Sequence, residues 1–364
     1  MPIATSVCAA SNDNREDAAD IPIIDVQEYM NNGKLAKEQC RKVADSLQQH
    51  GILIVRDTRA SEGDNATFLD MMERYFEQTD FTTDARPNLS YQVGVTPELI
   101  ERPRNHCQRA AKLEQSNQPV TLCPPELDKK SRFFWRIGQR PEKTEFKELN
   151  ADPVIPKAFP EWSVVMDMWG NKMLATLHEI AGMAAEGFGL EKDAFHKFMK
   201  NGPHLLAPTG SNFNRYGKLD TVLAGFHYDL NFLTIHGKCR FPGLYIWLKD
   251  GRKMLVRVPD GCLLVQAGKQ IEYLTGGYIR AGFHEVVVTN ETLKTIDRRA
   301  SKNESLWRVS STLFGHIASD CVLEPLDAFA TPESKKTYPP ILAGDQVLQE
   351  LNHIQLGTGY TLNR

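Results

Sequence analysis

The feature that most constrains this chain is a change of hydrophobic period near residue 205. Before it, apolar residues recur at helical spacing. The clearest case is 161–188, where Val164, Met168, Met173, Leu174, Leu177, Ile180 and Ala181 mark the pattern. After it the period is two. Short apolar runs fall at 222–226, 244–248, 254–258, 262–266, 285–289 and 306–314. Gly and Pro punctuate them at Pro242-Gly243, Asp250-Gly251, Pro259-Asp260-Gly261 and Gly276-Gly277. Several short strands separated by turn signals predict a sandwich or barrel. Helices first and strands second admit two arrangements, two separate domains or helices packed outside one sheet structure. The second is the expectation, because each helix then has a sheet on which to bury its apolar face.

The 364 residues divide accordingly. Residues 1–20 are polar and small and predict a flexible tail. Ile21-Pro22-Ile23-Ile24-Asp25 reads as a short strand, 35–49 as an amphipathic helix stopped by Gly51, and Ile52-Leu53-Ile54-Val55 as a buried strand. A helix follows at 67–77. The stretch 80–160 is rich in Pro, Arg and Lys and reads as irregular. Within it, Phe133-Phe134-Trp135-Arg136 either lines a substrate entrance or packs under a loop. Short helices are expected at 191–200 and, after Pro339-Pro340, at 343–355. As units, 21–200 is a mixed helical region packing on the core, 201–325 the strand-rich core, and 326–364 a C-terminal helical extension of the same body.

Composition excludes some classes. A net charge of −3 gives no bulk electrostatic case for nucleic acid. The local pair Arg298-Arg299 reads as solvated loop. No apolar run approaches a membrane span, and no signal peptide is evident. The seven cysteines are scattered without a Cys-x-x-Cys, which argues against a disulfide framework or a zinc site and for reduced thiols in a cytoplasmic protein.

The chemistry concentrates in the strand-rich half. On an extended strand, residues i and i+2 share a face, so His227 and Asp229 can converge on one ion. His284, at the edge of another predicted strand, supplies a second imidazole. Two imidazoles and a carboxylate form the facial set that holds non-haem Fe(II) and leaves coordination positions open. Standing alone, a His-x-Asp is as readily a surface pair. His284-Glu285 does not begin a His-Glu-x-x-His motif, because position 288 is Val. Arg308 and Ser310 share a face of the run 306–314. An Arg in so apolar a strand calls for an anion, either a structural carboxylate or a ligand's. Arg299-Ala300-Ser301 is a rival Arg-x-Ser in polar surroundings.

These pieces resemble, in order, the Fe(II)/2-oxoglutarate-dependent dioxygenase superfamily in its isopenicillin N synthase-like branch. Ile21 to Asp25 resembles the family's opening segment, and Gln49 to Val55 its early helix-to-strand turn. Asn214-Arg215-Tyr216 is similar to the Asn-Tyr-Tyr-Pro stretch. His227-Tyr228-Asp229, Phe241-Pro242-Gly243-Leu244, Leu274-Thr275-Gly276-Gly277 with His284, and Arg308-Val309-Ser310 complete the series. Four positions depart from it. Gly217 stands for Pro, Gln266-Ala267-Gly268-Lys269 for Asn-x-Gly-Asp, Glu285 for the usual Arg, and the long gap before Arg308 implies an inserted loop at 290–305.

The resemblance implies a double-stranded β-helix, a cupin-like jelly roll, wrapped by N-terminal helices and a C-terminal helix. It implies Fe(2+) on His227, Asp229 and His284, and 2-oxoglutarate held by Arg308, Ser310, Tyr216 and Asn214, with O2 as co-substrate. The expected activity is oxidation of a small molecule by hydroxylation, desaturation or cyclisation, releasing succinate and CO2, by analogy in secondary metabolism. Phe213, Phe232, Trp247, Phe314 and His316 are pocket candidates because they flank the ligand segments. Arg136 or Arg280 would meet a substrate carboxylate. Two readings remain beside it: an iron oxidase that takes no 2-oxo acid, and a binding protein on the same scaffold. Oligomeric state is open, a monomer included.

Overall fold

The computed structural model describes residues 21–356. The predicted tail 1–20 lies outside them. Among the described residues, no helix is long and apolar enough to cross a membrane.

Thirteen strands carry the core: β1 (Ile23–Asp25), β2 (Ile52–Arg56), β3 (Gly94–Thr96), β4 (Ser131–Ile137), β5 (His204–Leu206), β6 (Thr209–Asn212), β7 (Val222–Tyr228), β8 (Leu233–Gly237), β9 (Leu244–Trp247), β10 (Lys253–Leu255), β11 (Cys262–Ala267), β12 (Phe283–Val287) and β13 (Trp307–Gly315). They form two sheets. The larger runs β1-β2-β11-β8-β13-β5-β4-β3, with β6 paired to β13 and β4; the smaller runs β10-β9-β12-β7. The two sheets together make the expected double-stranded β-helix. Strands adjacent in a sheet are distant in sequence, so residues from β4, β7, β12 and β13 meet inside it.

The larger sheet turns its outer face to a helical layer. The helices Ala36–His50, Glu62–Gln78 and Trp162–Gly187 bury their apolar faces there, with Val43, Leu47, Phe68, Met72, Trp169 and Leu177 all sealed from solvent. Gly51 ends the first helix at φ 70°, a left-handed conformation that only glycine adopts without strain, and its N–H bonds the Leu47 carbonyl. Strand β13 shows how the layers divide. Trp307 stacks on Phe76, and Ser311 accepts a hydrogen bond from the Trp169 indole at 2.6 Å, both on the helical side. Arg308, Ser310, Thr312 and Phe314 alternate with them and face the interior of the roll.

Four expectations are corrected. The segment 80–160 is not irregular throughout. Phe133-Phe134-Trp135-Arg136 forms most of β4, a strand buried on both faces, with Phe133 against Trp162 and the Trp135 indole bonded to Asp167. The region 290–305 is not an inserted loop but chiefly a helix, Asn290–Ala300, started by reciprocal Thr289 and Thr292 bonds and docked through Leu293 and Ile296. Arg299 is not solvated. It is buried on that helix between Glu73 and Glu304. The cysteines are not all reduced: Cys107 and Cys123 form a disulfide, their Cα atoms 5.6 Å apart, while Cys40, Cys239, Cys262 and Cys321 are free. An odd, scattered count argues against a framework of bridges but does not bear on one local pair.

Candidate metal centre and its two chambers

Strands β7 and β12 are antiparallel neighbours, and their register sets His284 opposite His227. The ring centroids lie 4.2 Å apart. Asp229 follows one residue beyond the end of β7, and its Oδ1 is 3.8 Å from the Nε2 of each histidine. One ligand atom from each of the three residues falls within 4.8 Å of the others, and among the described residues this is the one such cluster.

The surroundings fix the donors. The Nδ1 of His227 is 2.6 Å from the Gly225 carbonyl. A carbonyl only accepts, so Nδ1 carries the proton and Nε2 presents a lone pair to the cluster. Thr234 on β8 donates to Asp229 Oδ2 at 2.6 Å, which leaves Oδ1 for the centre. Burial, then the neighbouring His284, holds the His227 imidazole well below its ordinary pKa. Burial alone would push the Asp229 carboxyl up. His284 and the Thr234 hydrogen bond outweigh it and hold the carboxyl below its ordinary value. At neutral pH His227 is therefore neutral and Asp229 ionised. Two imidazoles and one carboxylate in this arrangement fit a divalent transition metal.

Two chambers meet at this point. Arg132, His227, Asp229 and Phe314 line both. The first, of about 620 Å³, is walled by strands of the roll. Arg308 enters it from β13, buried, with its Nε lacking any hydrogen-bond partner. Ser310 lies two residues on. Across the ladder, Ser211 sits opposite Arg308 and Thr209 opposite Ser310. Lys130 completes the polar lining. The second chamber, of about 750 Å³, is more apolar. Phe134, Leu205 and Phe314 form one side. His106 and Arg104 come from the connection after β3, and Val347, Glu350 and Leu351 from the C-terminal helix Ala343–His353.

A buried ion cluster separates them. Lys130 donates to Asp128 at 2.6 Å and to Glu101 at 3.2 Å, and Arg132 also pairs with Glu101. Burial works against the Lys130 charge, but Asp128 and Glu101 overcome it and keep its pKa above the ordinary value. Glu285, the departure beside the second histidine, also has a structural role. Fully buried, its carboxylate accepts from Val120 N, Thr121 N, Thr121 Oγ1 and Lys253 Nζ at 2.8 to 3.1 Å. It ties the disulfide-bearing connection to the strand that carries His284.

Several sequence candidates lie elsewhere. Asn214 and Tyr216 sit on the turn Phe213–Tyr216 beyond the end of β6 and do not line the first chamber, and Asn214 is exposed. Phe213 packs on Phe241, and Phe232 on Phe195. Trp247 packs on Phe226 and bonds the Asn117 carbonyl. Arg136 turns its guanidinium to the carbonyls of Ile137 and Gln139. Arg280 lines a separate surface depression with Arg109 and His50. Phe314 and His316 do line the second chamber. The rival Arg299 is held by Glu73, and Ser301 bonds the Arg298 carbonyl. Sequence reasoning missed Lys130, Arg132, Glu101, Asp128, Arg104 and Glu350. The density of charge in 98–132 was the one visible signal for the first five, and Glu350 lies outside it.

Residues 208–317 match the family model described as 2OG-Fe(II) oxygenase superfamily. Over that segment the chain is similar to the 2OG-Fe(II) oxygenase superfamily. The isopenicillin N synthase-like branch is not singled out within it. The mugineic-acid 3-dioxygenase of Hordeum vulgare is 28% identical over 171 residues, 46% of this chain and 45% of that one. The chain spans about half the length of such curated relatives. Among solved structures, a 2OG-Fe(II) oxygenase family protein from Caulobacter crescentus superposes with a TM-score of 0.70 at 21% identity, covering 92% of this chain and 99% of that one. A full-length Neurospora crassa protein solved in complex with alpha-KG gives 0.69 at 16% identity, covering 91% and 96%. At these identities the likeness shows the shared fold.

Proposed function

We propose that the chain is a Fe(II)- and 2-oxoglutarate-dependent oxygenase acting on a small molecule. One observation carries the reading: a buried arginine with a partnerless donor, Arg308, opens into the same chamber as the triad His227, Asp229 and His284. A buried cation without a counter-ion is costly, so the chamber calls for an anion that also reaches the metal, as a 2-oxo dicarboxylate does. Bound iron and 2-oxoglutarate supply oxidative decarboxylation to succinate and CO2, coupled to O2 reduction and oxidation of a carbon–hydrogen bond.

The side chains divide the remaining tasks. His227, Asp229 and His284 hold the metal, and Thr234 orients the Asp229 carboxylate. Arg308 grips the distal carboxylate of 2-oxoglutarate with Ser310 as a second donor. Ser211 and Thr209 take the places that the sequence resemblance gave to Asn214 and Tyr216, because β6 brings them opposite Arg308 and Ser310. The apolar second chamber orients the substrate and excludes water. A cytoplasmic setting, which keeps iron reduced, is part of this reading, with the Cys107–Cys123 bridge a local exception.

The test is anaerobic reconstitution with Fe(II) and titration with 2-oxoglutarate, following the visible charge-transfer band of the chelate. A saturable band is expected. Arg308→Ala should weaken 2-oxoglutarate by roughly ten- to a hundredfold, the loss of one charge-assisted contact. Tyr216→Phe should leave it unchanged. Iron binding without a band would turn Arg308 over to substrate and favour an oxidase that needs no 2-oxo acid. Failure to retain iron would remove the reading altogether.

A further inference from the structure

Resting on that oxygenase reading, we infer that the second chamber takes an uncharged molecule, because among the described residues every ionised side chain lining it is already committed to an internal partner or to the metal centre. Arg104 pairs with Glu350 at 3.1 Å and also donates to the Tyr228 hydroxyl at 3.0 Å. Tyr228 in turn donates to Glu350 at 2.9 Å. Arg132 pairs with Glu101, and its guanidinium lies over the Phe134 ring at 4.5 Å. Asp128 is matched by Lys130 and accepts from Gly225 N. At the metal centre, iron and Arg308 would be matched by Asp229 and the two carboxylates of bound 2-oxoglutarate.

The two histidines of the chamber add no charge. Burial, with Arg104 beside it, lowers His106 to about 4, and burial with Arg136 lowers His316 to about 3. Both are neutral at pH 7. The arginines expected to greet a substrate carboxylate are also unavailable: Arg136 binds backbone carbonyls, and Arg280 faces another depression. An acid would have to compete with Glu350 for Arg104 or displace buried Glu101 from Arg132, and the carboxylate deprived of its partner costs more than the new contact returns. A cation would meet the same difficulty with opposite sign.

Among the described residues, two buried polar atoms of the side chains in the wall lack a partner, Nε of Arg132 and Nδ1 of His316. Neither needs a counter-charge. Each is satisfied by a carbonyl, hydroxyl or ring nitrogen. The matching substrate is therefore an uncharged, largely apolar molecule whose body lies against Phe134, Leu205 and Phe314 and which carries one or two such groups. This departs from the mugineic-acid relative, which is named for a carboxylic acid.

The inference is tested on anaerobic protein loaded with Fe(II) and 2-oxoglutarate, by equilibrium dialysis of matched probes. These are indole acetic acid and indole acetamide, phenylpropanoic acid and phenylpropanamide, and jasmonic acid and methyl jasmonate. The neutral member of a retained pair should bind about tenfold more tightly, the equivalent of one lost charge-assisted pair. Glu350→Gln frees Arg104 and should narrow or reverse that preference. Acids that bind wild type as tightly as their neutral partners overturn the inference, and so does failure of every neutral probe to bind. A neutral preference seen in protein that binds neither iron nor 2-oxoglutarate keeps the inference and discards the oxygenase reading. Acids winning with the chelate band intact discard the inference alone.

Discussion

The two chambers share a boundary at His227 and Asp229 but are built from different material. The first is walled mainly by regular strands, and its polar groups occupy alternate positions of β6 and β13. The second is closed by the connection around Arg104 and His106, by one face of β4 and by the C-terminal helix. The first therefore inherits its geometry from backbone ladders, which fix side-chain direction at a period of two. The second depends on side-chain ion pairs, a disulfide and helix docking, each of which can change without disturbing a ladder. A constant reagent suits the first kind of wall and a variable substrate the second.

The largest expected effect tests whether both chambers answer to one centre. Asp229→Ala removes the sole anion of the ligand set, and iron retained after anaerobic desalting should fall to background together with succinate production. Iron retained at wild-type level would sever both chambers from the proposed centre. Next, Cys107→Ser opens a bridge of sequence separation 16 that staples the second wall. It should cost about 3 kcal/mol in urea unfolding by chain entropy, yet leave 2-oxoglutarate affinity within twofold. A tenfold loss of that affinity would mean the chambers are not separately supported. The smallest effect concerns His316. Its pKa is lowered to about 3 by burial, then by Arg136, against an unfolded value of about 6.5. The unfolded chain takes up a proton below that value and the folded chain does not until about pH 3. The contribution of neutral His316 is thus complete above pH 6.5 and lost as pH falls, by about 2 kcal/mol at pH 5. His316→Gln should remove that share of the stability difference between pH 7 and 5. An unchanged difference would show that the second chamber admits a charged imidazole.

The same contrast decides what could be read from the sequence. Strand β13 was legible because its two faces have different neighbours, so Arg308, Ser310 and Phe314 alternate visibly with Trp307, Val309 and Leu313. β4 was not, because it is buried on both faces and a continuous run has no period to detect. The ion cluster of Glu101, Asp128, Lys130 and Arg132 looks like solvated charge until distant strands close around it. Asn214 and Tyr216 were named by motif likeness, and the sequence did not show that Asn212 caps a helical turn there and the chain leaves the sheet before reaching them. The helix at 290–300 did carry its signal, the Thr289 and Thr292 box ahead of Leu293 and Ile296, and the long gap obscured it.

The alternation along β13 also sets how this protein tolerates length changes. Deleting one residue between Trp307 and Phe314 would exchange the strand's two faces downstream of the cut. Large apolar groups would then point into the first chamber and hydroxyls at Trp169 and the helical layer. No side-chain adjustment repairs that, because chamber lining and core packing are written on opposite sides of one strand. Single-residue insertions and deletions are therefore expected to be eliminated here and admitted in the connection between β3 and β4, a pattern that a deep insertion–deletion scan would display directly.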